Sequence, residues 1–320
     1  MPFQIKYIGK RLLYAAITVF VLVTITFILM QLLPGSPFSG MKNLSQDVEI
    51  ALNAKYGLDK SIMEQYFIYL SNLIHGDLGS SLISGRQVVD VIGTAFPVSL
   101  ELGLRALIFA IIMGFSIGIV AALKRGTKWD TLTMVIALLG VSIPSFIMGA
   151  LLQYFFGVVL FQMTGIRFFT ILGWGAENSK MLPSFALAFG TIATIGRLMR
   201  SSLVEVLEQD YIRTAKVKGL KKKEIILFHG LRNALLPVIT ILGPLTAVLL
   251  TGTFAIEHVF SIPGLGKYFV ESVQANDYPM IIGTTLFFGI FLVLCNLVVD
   301  ILNGFIDPRL KLGGNENGEK

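Results

Sequence analysis

The residues of this chain that are able to do chemistry are few and lie far apart in the sequence. The segment PGLGK at positions 263–267 has the glycines and lysine of a phosphate-binding loop. Such a loop needs G-x-x-x-x-G-K followed by Ser or Thr, but Ser261 takes the first glycine position and Tyr268 follows the lysine. We interpret the segment as a tight turn before a short helix.

Metal-binding and catalytic side chains show no clustering either. His75, His229 and His258 are scattered, and the single cysteine, Cys295, lies inside an apolar run. A zinc site needs several such ligands close together, and a serine hydrolase needs a nucleophile elbow with its partner residues. We therefore predict no catalytic residue, no metal site and no cofactor bound by this chain.

Two opposite charges, Glu101 and Arg105, lie near the start of an apolar stretch. Residues four apart are neighbours on one helix face, so these side chains can pair with each other. A structural ion pair is the favoured interpretation, and a role in a substrate path is the alternative. Other carboxylates inside apolar stretches are scarce, which disfavours a proton-coupled carrier.

The elements that hold these residues are too apolar for a water-soluble protein. Of the 320 residues, 54% are hydrophobic and 14% are charged, whereas a soluble domain carries about 25% charged residues. A helix needs roughly 20 apolar residues to span a bilayer. We predict an all-α polytopic membrane protein with six transmembrane helices, at about 12–33, 100–123, 132–161, 182–198, 235–256 and 280–302.

Three local features qualify these spans. The first apolar stretch is too long for a signal peptide and no small-residue cleavage site follows it, so we interpret it as an uncleaved span. Pro144 is expected to kink the third span because its ring removes a backbone donor. Gly114 and Gly118 form a G-x-x-x-G pattern, which allows another helix to approach closely.

The distribution of Lys and Arg predicts the orientation. If the N-terminus is cytoplasmic, 18 of the 26 basic residues fall on the cytoplasmic side, 7 fall outside, and Arg105 lies within a span. Cytoplasmic loops of membrane proteins carry this excess of positive charge. We predict that both termini are cytoplasmic and that the spans lie in the cell membrane.

Four regions follow from the spans. Residues 1–34 hold the N-terminal segment and first span, and residues 35–99 form an external region with short helices. There, Ser61 and Glu64 predict a capping box, and Gly76 predicts the end of that helix. Residues 100–309 form the transmembrane core, which includes a cytoplasmic loop at about 200–234, and the polar tail 310–320 is expected to be disordered.

The cytoplasmic loop is the most charged part of the core. Positions 197–232 hold nine basic and four acidic residues, a surplus close to the net charge of the whole chain, +6. Apolar residues at helical spacing predict one helix that includes positions 203–211, and Gly219 then predicts a left-handed turn. A second apolar stripe follows at Leu220, Ile225, Ile226, Phe228 and Leu231.

This helix–turn–helix could dock against a protein or against a lipid surface. The small residues Ala215 and Gly219 suit docking into a groove of a protein. Lys221, Lys222 and Lys223 are also able to bind anionic lipid unaided, and that alternative stays open.

The order of residues in this loop resembles a known family. DYIRTAKVKGL (210–220) followed by HGLRNALLP (229–237) is similar to the loop of permease subunits in ATP-binding-cassette importers. The general loop carries E-A-A-x-x-x-G, and this chain lacks the acidic residue and has its proline farther from the glycine. Both departures are features of the dipeptide, oligopeptide and nickel branch.

The resemblance to that branch extends along most of the chain. Its other segments are LLPGSPF (32–38), YGLDKSIMEQYFIYL (56–70), GDLGSS (76–81), PVSLELG (97–103), SIPSF (142–146), IEHVFSIPGLG (256–266) and DPRL (307–310). Within the branch, PGSPF and LLQYFFGVVLF are more similar to the oligopeptide B-type subunit than to the nickel form.

The resemblance implies a type I importer permease that moves peptides and is not an enzyme. It also implies a second, homologous permease subunit, two cytoplasmic ATPases that use ATP and Mg, and an external peptide-binding protein, with no nucleic-acid partner. Nickel or another small solute is the alternative cargo. The external region is then a candidate contact for the binding protein, or a gate over the pore.

The same resemblance places the contact with an ATPase at 210–237, with Gly219 at its tip. The residues that it assigns to this contact are Asp210, Arg213, Thr214, Ala215, Gly219, Leu220, His229, Arg232, Asn233 and Pro237. No residue of the substrate path is predicted.

Overall fold

The computed structural model describes residues 2–32, 50, 59–251 and 253–306. Over these residues the secondary structure is helical, and the β pairing is limited to an isolated bridge between Ser80 and Gln87. The predicted tail 310–320 and much of the predicted external region before Asp59 lie outside the described residues.

The described residues form a series of α-helices. In chain order they are α1 (Pro2–Leu32), α2 (Ile62–Ile74), α3 (Val88–Leu123), α4 (Lys128–Ser142), α5 (Ser145–Tyr154), α6 (Leu160–Thr164), α7 (Glu177–Leu207), α8 (Asp210–Val217), α9 (Lys222–Glu224), α10 (Arg232–Thr251), α11 (Phe254–Val259), α12 (Leu265–Gln274) and α13 (Tyr278–Ile306). Two π-helical segments, Phe155–Val159 and Ile225–Leu231, join α5 to α6 and α9 to α10.

Within the described residues, six helical stretches are long and apolar enough to cross a membrane. They are Gly9–Leu32, Val88–Leu123, Ser145–Thr164, Glu177–Leu207, Lys222–Val259 and Tyr278–Val298. The prediction of an all-α protein with six spanning helices is thus confirmed.

The third predicted span, 132–161, is wrong as a single kinked helix. Helix α4 ends at Ser142, Ile143 is extended with φ −90° and ψ 118°, and Pro144 precedes the first residue of α5. A proline cannot donate a helical hydrogen bond, and it pushes the residue before it out of the helical region. The chain therefore breaks here, and the stretch long enough to span is Ser145–Thr164.

The chain divides into two compact units that do not follow chain order. One unit comprises the residues up to Ser99 together with Pro263–Leu297, and the other comprises Leu100–Ile262 together with the residues from Val298. In the first unit, Phe96 of α3 packs edge-on against Phe287 and Phe291 of α13, with ring centroids 4.7 and 4.9 Å apart.

A buried carboxylate organises part of the first unit. Asp277, just before α13, accepts a hydrogen bond from the Ser81 hydroxyl at 2.5 Å and another from the Leu82 N–H at 3.1 Å. These bonds tie the turn between α2 and α3 to the start of α13.

In the second unit, α3 and α7 pack through glycines. A Cβ atom on Gly114 would lie 2.7 Å from Ile195 Cγ2, and one on Gly118 would lie 2.6 Å from the carbonyl oxygen of Gly196. Neither distance leaves room for a methyl group, so the predicted role of the G-x-x-x-G pattern in close helix approach is confirmed.

The segment from Gly114 to Gly118 has the sequence GFSIG, which matches the G-x-S-x-G pattern of a nucleophile elbow. Ser116 lies in the middle of α3, and its hydroxyl donates to the Ile112 carbonyl oxygen at 2.7 Å. An elbow needs a sharp turn between a strand and a helix, so Ser116, in the middle of a helix, lacks the geometry of an elbow nucleophile.

Candidate functional site

The most polar feature of the second unit is a helical hairpin between α7 and α10, which we call the basic hairpin (residues 208–232). It consists of α8, a turn at 218–221, α9 and the π-helical segment Ile225–Leu231. It coincides with the loop that the family resemblance predicts to contact an ATPase.

The first predicted helix of this loop is wrong in one respect. The apolar stripe from Leu203 to Tyr211 crosses a break, because α7 ends at Leu207 and α8 starts at Asp210. Gln209 between them is extended, with ψ 150°. An acidic residue in the first turn of a helix is favourable, which suits Asp210 to the start of α8. The break preserves the spacing of the apolar residues, so periodicity alone does not detect it.

A small apolar core holds the two arms of the basic hairpin together. Ile212 and Ala215 of α8 and Ile225 of the second arm are buried and form one cluster. Ala215 is only 6% exposed. The small size of Ala215 therefore serves the packing of the hairpin itself, and the side chain does not belong to the exposed surface that was predicted to meet a partner.

The turn depends on Gly219. Its φ is +79°, and a Cβ atom added there would find no atom within 4 Å. Glycine is thus required for its backbone conformation and not for lack of space. The Gly219 N–H bonds the Lys216 carbonyl oxygen at 3.0 Å, and the Leu220 N–H bonds that of Ala215 at 3.3 Å. The predicted left-handed turn is confirmed.

The base of the hairpin is fixed to its own helices by polar contacts. The Asn233 amide donates to the Tyr211 hydroxyl at 3.0 Å and to the His229 carbonyl oxygen at 3.1 Å. The buried Ser202 hydroxyl donates to the Ala234 carbonyl oxygen at 2.9 Å. Asn233 and the backbone of His229 therefore stabilise the base of the hairpin in this structure.

The remaining predicted residues lie on the outside of the hairpin or just after it. Arg213 lies 3.5 Å from Asp210, and the Thr214 hydroxyl bonds the Asp210 carbonyl oxygen at 3.0 Å. Val217 is 88% exposed beside the turn. The exposed residues of the predicted set are Asp210, Arg213, Thr214, Gly219, Leu220, Arg232, Asn233 and Pro237.

A pair of charges that sequence reasoning missed joins α4 to α7. Arg200 Nε lies 2.5 Å from Asp130 Oδ1, and its terminal nitrogen lies 2.8 Å from Oδ2. The Gly126 N–H also donates to Asp130, at 3.0 Å. The guanidinium and this N–H lower the pKa of Asp130 to about 2. The first-turn position of Asp130 was visible in the sequence, but its partner lies 70 residues away.

A second ion pair continues from this site to the hairpin. Arg125, in the turn between α3 and α4, pairs with Glu208 at the base of the hairpin. Because Asp130 binds the Gly126 N–H of the same turn, the two pairs link the hairpin, the α3–α4 turn and α7 by polar contacts.

The predicted pair of Glu101 and Arg105 is confirmed and belongs to a larger network. Arg105 lies 2.8 Å from Glu101 and 2.9 Å from Glu177. Lys180 Nζ and Trp174 Nε1 also donate to Glu101, at 3.0 and 3.1 Å. The favoured structural interpretation thus has geometric support, because the four charges neutralise one another between α3 and the start of α7.

The PGLGK segment is a tight turn before a short helix, as predicted. Helix α12 starts at Leu265, whose backbone N–H donates to the Ser99 hydroxyl at 2.8 Å. Among the residues that the structure describes, His, Cys, Asp and Glu form no group of three or more that is able to hold a metal.

Solved structures with a similar fold are membrane transport proteins. A chain of the inward-facing MetNI methionine ABC transporter aligns with a TM-score of 0.55 at 17% identity, over 68% of this chain and 96% of that one. An amino acid ABC transporter solved with histidines aligns with a TM-score of 0.53 at 12% identity, over 68% of this chain and 94% of that one. The fold is that of an ABC importer permease.

The sequence places the chain in a particular family of this class. The profile of the binding-protein-dependent transport system inner membrane component matches residues 114–312, and the profile of the N-terminal part of such components matches residues 4–103. The chain belongs to this family of multi-pass membrane proteins.

Individual relatives match over nearly their whole length. The dipeptide transport system permease protein DppB of Bacillus subtilis (strain 168) is 46% identical over 96% of this chain and 98% of that protein. DppB of Lactococcus lactis subsp. cremoris (strain MG1363) is 41% identical over 97% of this chain and 100% of that protein. The oligopeptide transport system permease protein OppB of Escherichia coli (strain K12) is 42% identical over 96% of this chain and 100% of that protein.

Proposed function

We propose that this chain is a permease subunit of an ATP-driven importer of dipeptides or oligopeptides. The similarity to dipeptide and oligopeptide permeases carries the proposal, because it reaches 46% identity and extends over nearly the whole chain. The six spanning helices supply one half of a translocation path, and the chain itself catalyses no reaction.

The assembly that we propose has four further subunits of three kinds. A second, homologous permease completes the path, two cytoplasmic ATPases hydrolyse ATP with Mg, and an external binding protein delivers the peptide. The membrane is the cytoplasmic membrane, and its inner side is the side of the basic hairpin. The charge distribution supports this orientation, since the hairpin carries seven of the 26 basic residues.

The basic hairpin is proposed as the contact with one ATPase. Its own core of Ile212, Ala215 and Ile225 keeps it rigid, and Arg125 and Ser202 attach its base to the spanning helices. A rigid, attached element passes on motion, whereas a flexible one absorbs it. When the ATPases close on ATP, the hairpin would move as a lever and tilt the spans between inward-facing and outward-facing states.

Measurements of uptake by cells distinguish a peptide cargo from the alternative cargo, nickel. Cells that lack this chain should lose uptake of a labelled dipeptide or tripeptide and regain it when the chain is restored, with nickel uptake unchanged throughout. Loss and recovery of nickel uptake, with peptide uptake unaffected, would contradict the peptide assignment and leave the importer fold intact.

The hairpin contact is tested at its tip. Gly219→Glu adds a charged side chain to the exposed turn, and we expect less ATPase to co-purify with the permease and peptide uptake to fall by at least tenfold. Lys180→Arg, in the network between α3 and α7, keeps its charge and serves as the control that should retain both. Wild-type co-purification and uptake in Gly219→Glu would exclude the hairpin as the contact.

A further inference from the structure

Helix α2 is amphipathic, and its apolar side is wider than the neighbouring helix covers. The helix has the sequence IMEQYFIYLSNLI, in which Glu64 is the one charged residue. Tyr66 and Tyr69 lie on the side that packs against α1. Met63, Phe67 and Ile74, spaced by four and seven residues, form an adjacent stripe on the same helix.

The contact with α1 is specific and well ordered. The Phe27 ring lies 5.2 Å from the Tyr66 ring and 5.6 Å from the Tyr69 ring, measured between centroids. The hydroxyls of Thr24 and Tyr66 are 2.7 Å apart, and the Gln31 amide donates to Gln65 at 2.8 Å. Both helices belong to the same compact unit.

These contacts place α2 at membrane depth. The stretch of α1 that is apolar enough to span runs from Gly9 to Leu32. Thr24 and Gln31 are seven residues apart, which at 1.5 Å per residue is roughly 10 Å along the helix. Helix α2 therefore lies beside the last two turns of the span and not beyond its end. An interfacial helix buries its apolar side about 5–10 Å below the headgroup boundary.

The stripe beside this contact is uncovered and strongly apolar. Met63 is 69% exposed, Phe67 is 65% exposed and Ile74 is 83% exposed. Over the same turns α1 also exposes large apolar side chains, Ile25, Ile28 and Leu29, as expected for a helix that faces lipid. Of the polar residues of α2, Glu64 and Ser71 border this stripe, whereas Asn72 is exposed on the opposite side of the helix, nine residues or two and a half turns from Met63.

We infer that α2 is an interfacial helix whose stripe of Met63, Phe67 and Ile74 contacts the acyl chains of the leaflet at the Leu32 end of α1. The depth of the α1 contact and the continuity with the lipid-facing part of α1 favour lipid over a soluble partner. The two tyrosines suit this position, because tyrosine is enriched where the bilayer meets water. The inference removes this stripe from the candidate contact with a binding protein.

Site-directed fluorescence tests the inference without using transport as its readout. Met63→Cys, Phe67→Cys and Ile74→Cys are labelled with bimane in the full importer, reconstituted into phosphatidylcholine–phosphatidylglycerol vesicles. Unsubstituted protein, which has Cys295 as the single cysteine of this chain, gives the background. Quenching by doxyl-labelled lipid is then compared with quenching by iodide in water.

We expect doxyl lipid to quench the three stripe positions several-fold more than iodide does, as it should at the control Ile25→Cys on α1. Asn72→Cys, on the opposite side of α2, should show the reverse. Iodide quenching along the stripe would show a water-facing helix, and weak quenching by both agents would show a protein partner. Either result overturns the inference. If one labelled variant does not fold, the other two positions still decide it, because all three lie on one stripe.

Discussion

Gly219 occupies a backbone conformation that other residues adopt only with strain. At φ +79° a side chain with a Cβ atom costs roughly 1–2 kcal/mol, although nothing surrounds it. Asn is the residue other than glycine that tolerates this region best. The conformation and the surface at the turn can therefore be tested separately.

For Gly219→Ala we expect a lower thermal midpoint of the purified subunit and reduced peptide uptake, because the turn becomes strained. For Gly219→Asn we expect a smaller fall in both. Thermal unfolding in detergent and uptake by cells provide the two measurements. Equal loss of uptake in the two variants, with unchanged midpoints, would mean that the turn needs an open surface and not a particular backbone conformation.

Asp130 is the buried charge on which the region next to the hairpin depends. Removing one partner of a fully buried ion pair costs about 3–5 kcal/mol. Since the Arg200 side chain is 23% exposed, we expect Asp130→Asn to cost about 2–3 kcal/mol near neutral pH. Glu208→Gln, in the exposed pair with Arg125, should cost at most about 1 kcal/mol and is the matched control.

The contribution of Asp130 to the stability of the folded protein should also depend on pH. The folded pKa is about 2, and the unfolded value is about 3.9. A lowered pKa means that the stabilisation is full above the unfolded value and is lost as the pH falls towards the folded value. The difference in thermal midpoint between wild type and Asp130→Asn should therefore shrink between about pH 4 and pH 2. A difference that stays constant over this range would contradict the assigned ion pair.

At the scale of helices, the crossing of α3 and α7 depends on residues without side chains. A Cβ atom on Gly118 would lie 2.6 Å from a backbone oxygen of α7, so the helix backbones must move apart to accept it. Overpacking of this kind costs typically about 1–3 kcal/mol. Gly93 lies in the same helix with no atom within 4 Å of such a Cβ.

We expect Gly118→Ala to lower the thermal midpoint and Gly93→Ala to leave it unchanged or raise it slightly, because alanine is the better helix former. Thermal unfolding of the two purified variants compares them directly. A larger loss for Gly93→Ala than for Gly118→Ala would contradict the helix contact described above.

The helices also show what could be predicted from sequence. Apolar length located the spans except the third, and the surplus of charge located the basic hairpin, because both depend only on local composition. The break between α7 and α8 was not predicted, because it leaves the spacing of the apolar residues intact. At Pro144 a kink was predicted, but the helix ends and a new one begins. The local sequence does not show whether a helix continues through a proline, because that depends on tertiary packing.

Within the candidate site, the turn at Gly219 was predictable because glycine has a local conformational reason to be there. The buried position of Ala215 was not, since a small residue suits both a tight core and a close external contact. The pairing of Asp130 with Arg200 was not predictable either, because it depends on how α4 packs against α7.

At the scale of the whole molecule, the fold, the family and the six spanning helices define a multi-pass membrane transport component. We propose that a partner moves this subunit. The central proposal is that the basic hairpin touches an ATPase, with Val217 and Leu220 beside the tip.

Photo-crosslinking in cells tests this claim most directly. A benzoylphenylalanine is placed at Val217 or Leu220, and the control is placed at Ser84, an exposed residue in the turn before α3 that is predicted to lie on the opposite side of the membrane. We predict crosslinks to an ATPase subunit from Val217 and Leu220 and none from Ser84. Crosslinks from the hairpin to lipid alone, or an ATPase crosslink from Ser84, would contradict it.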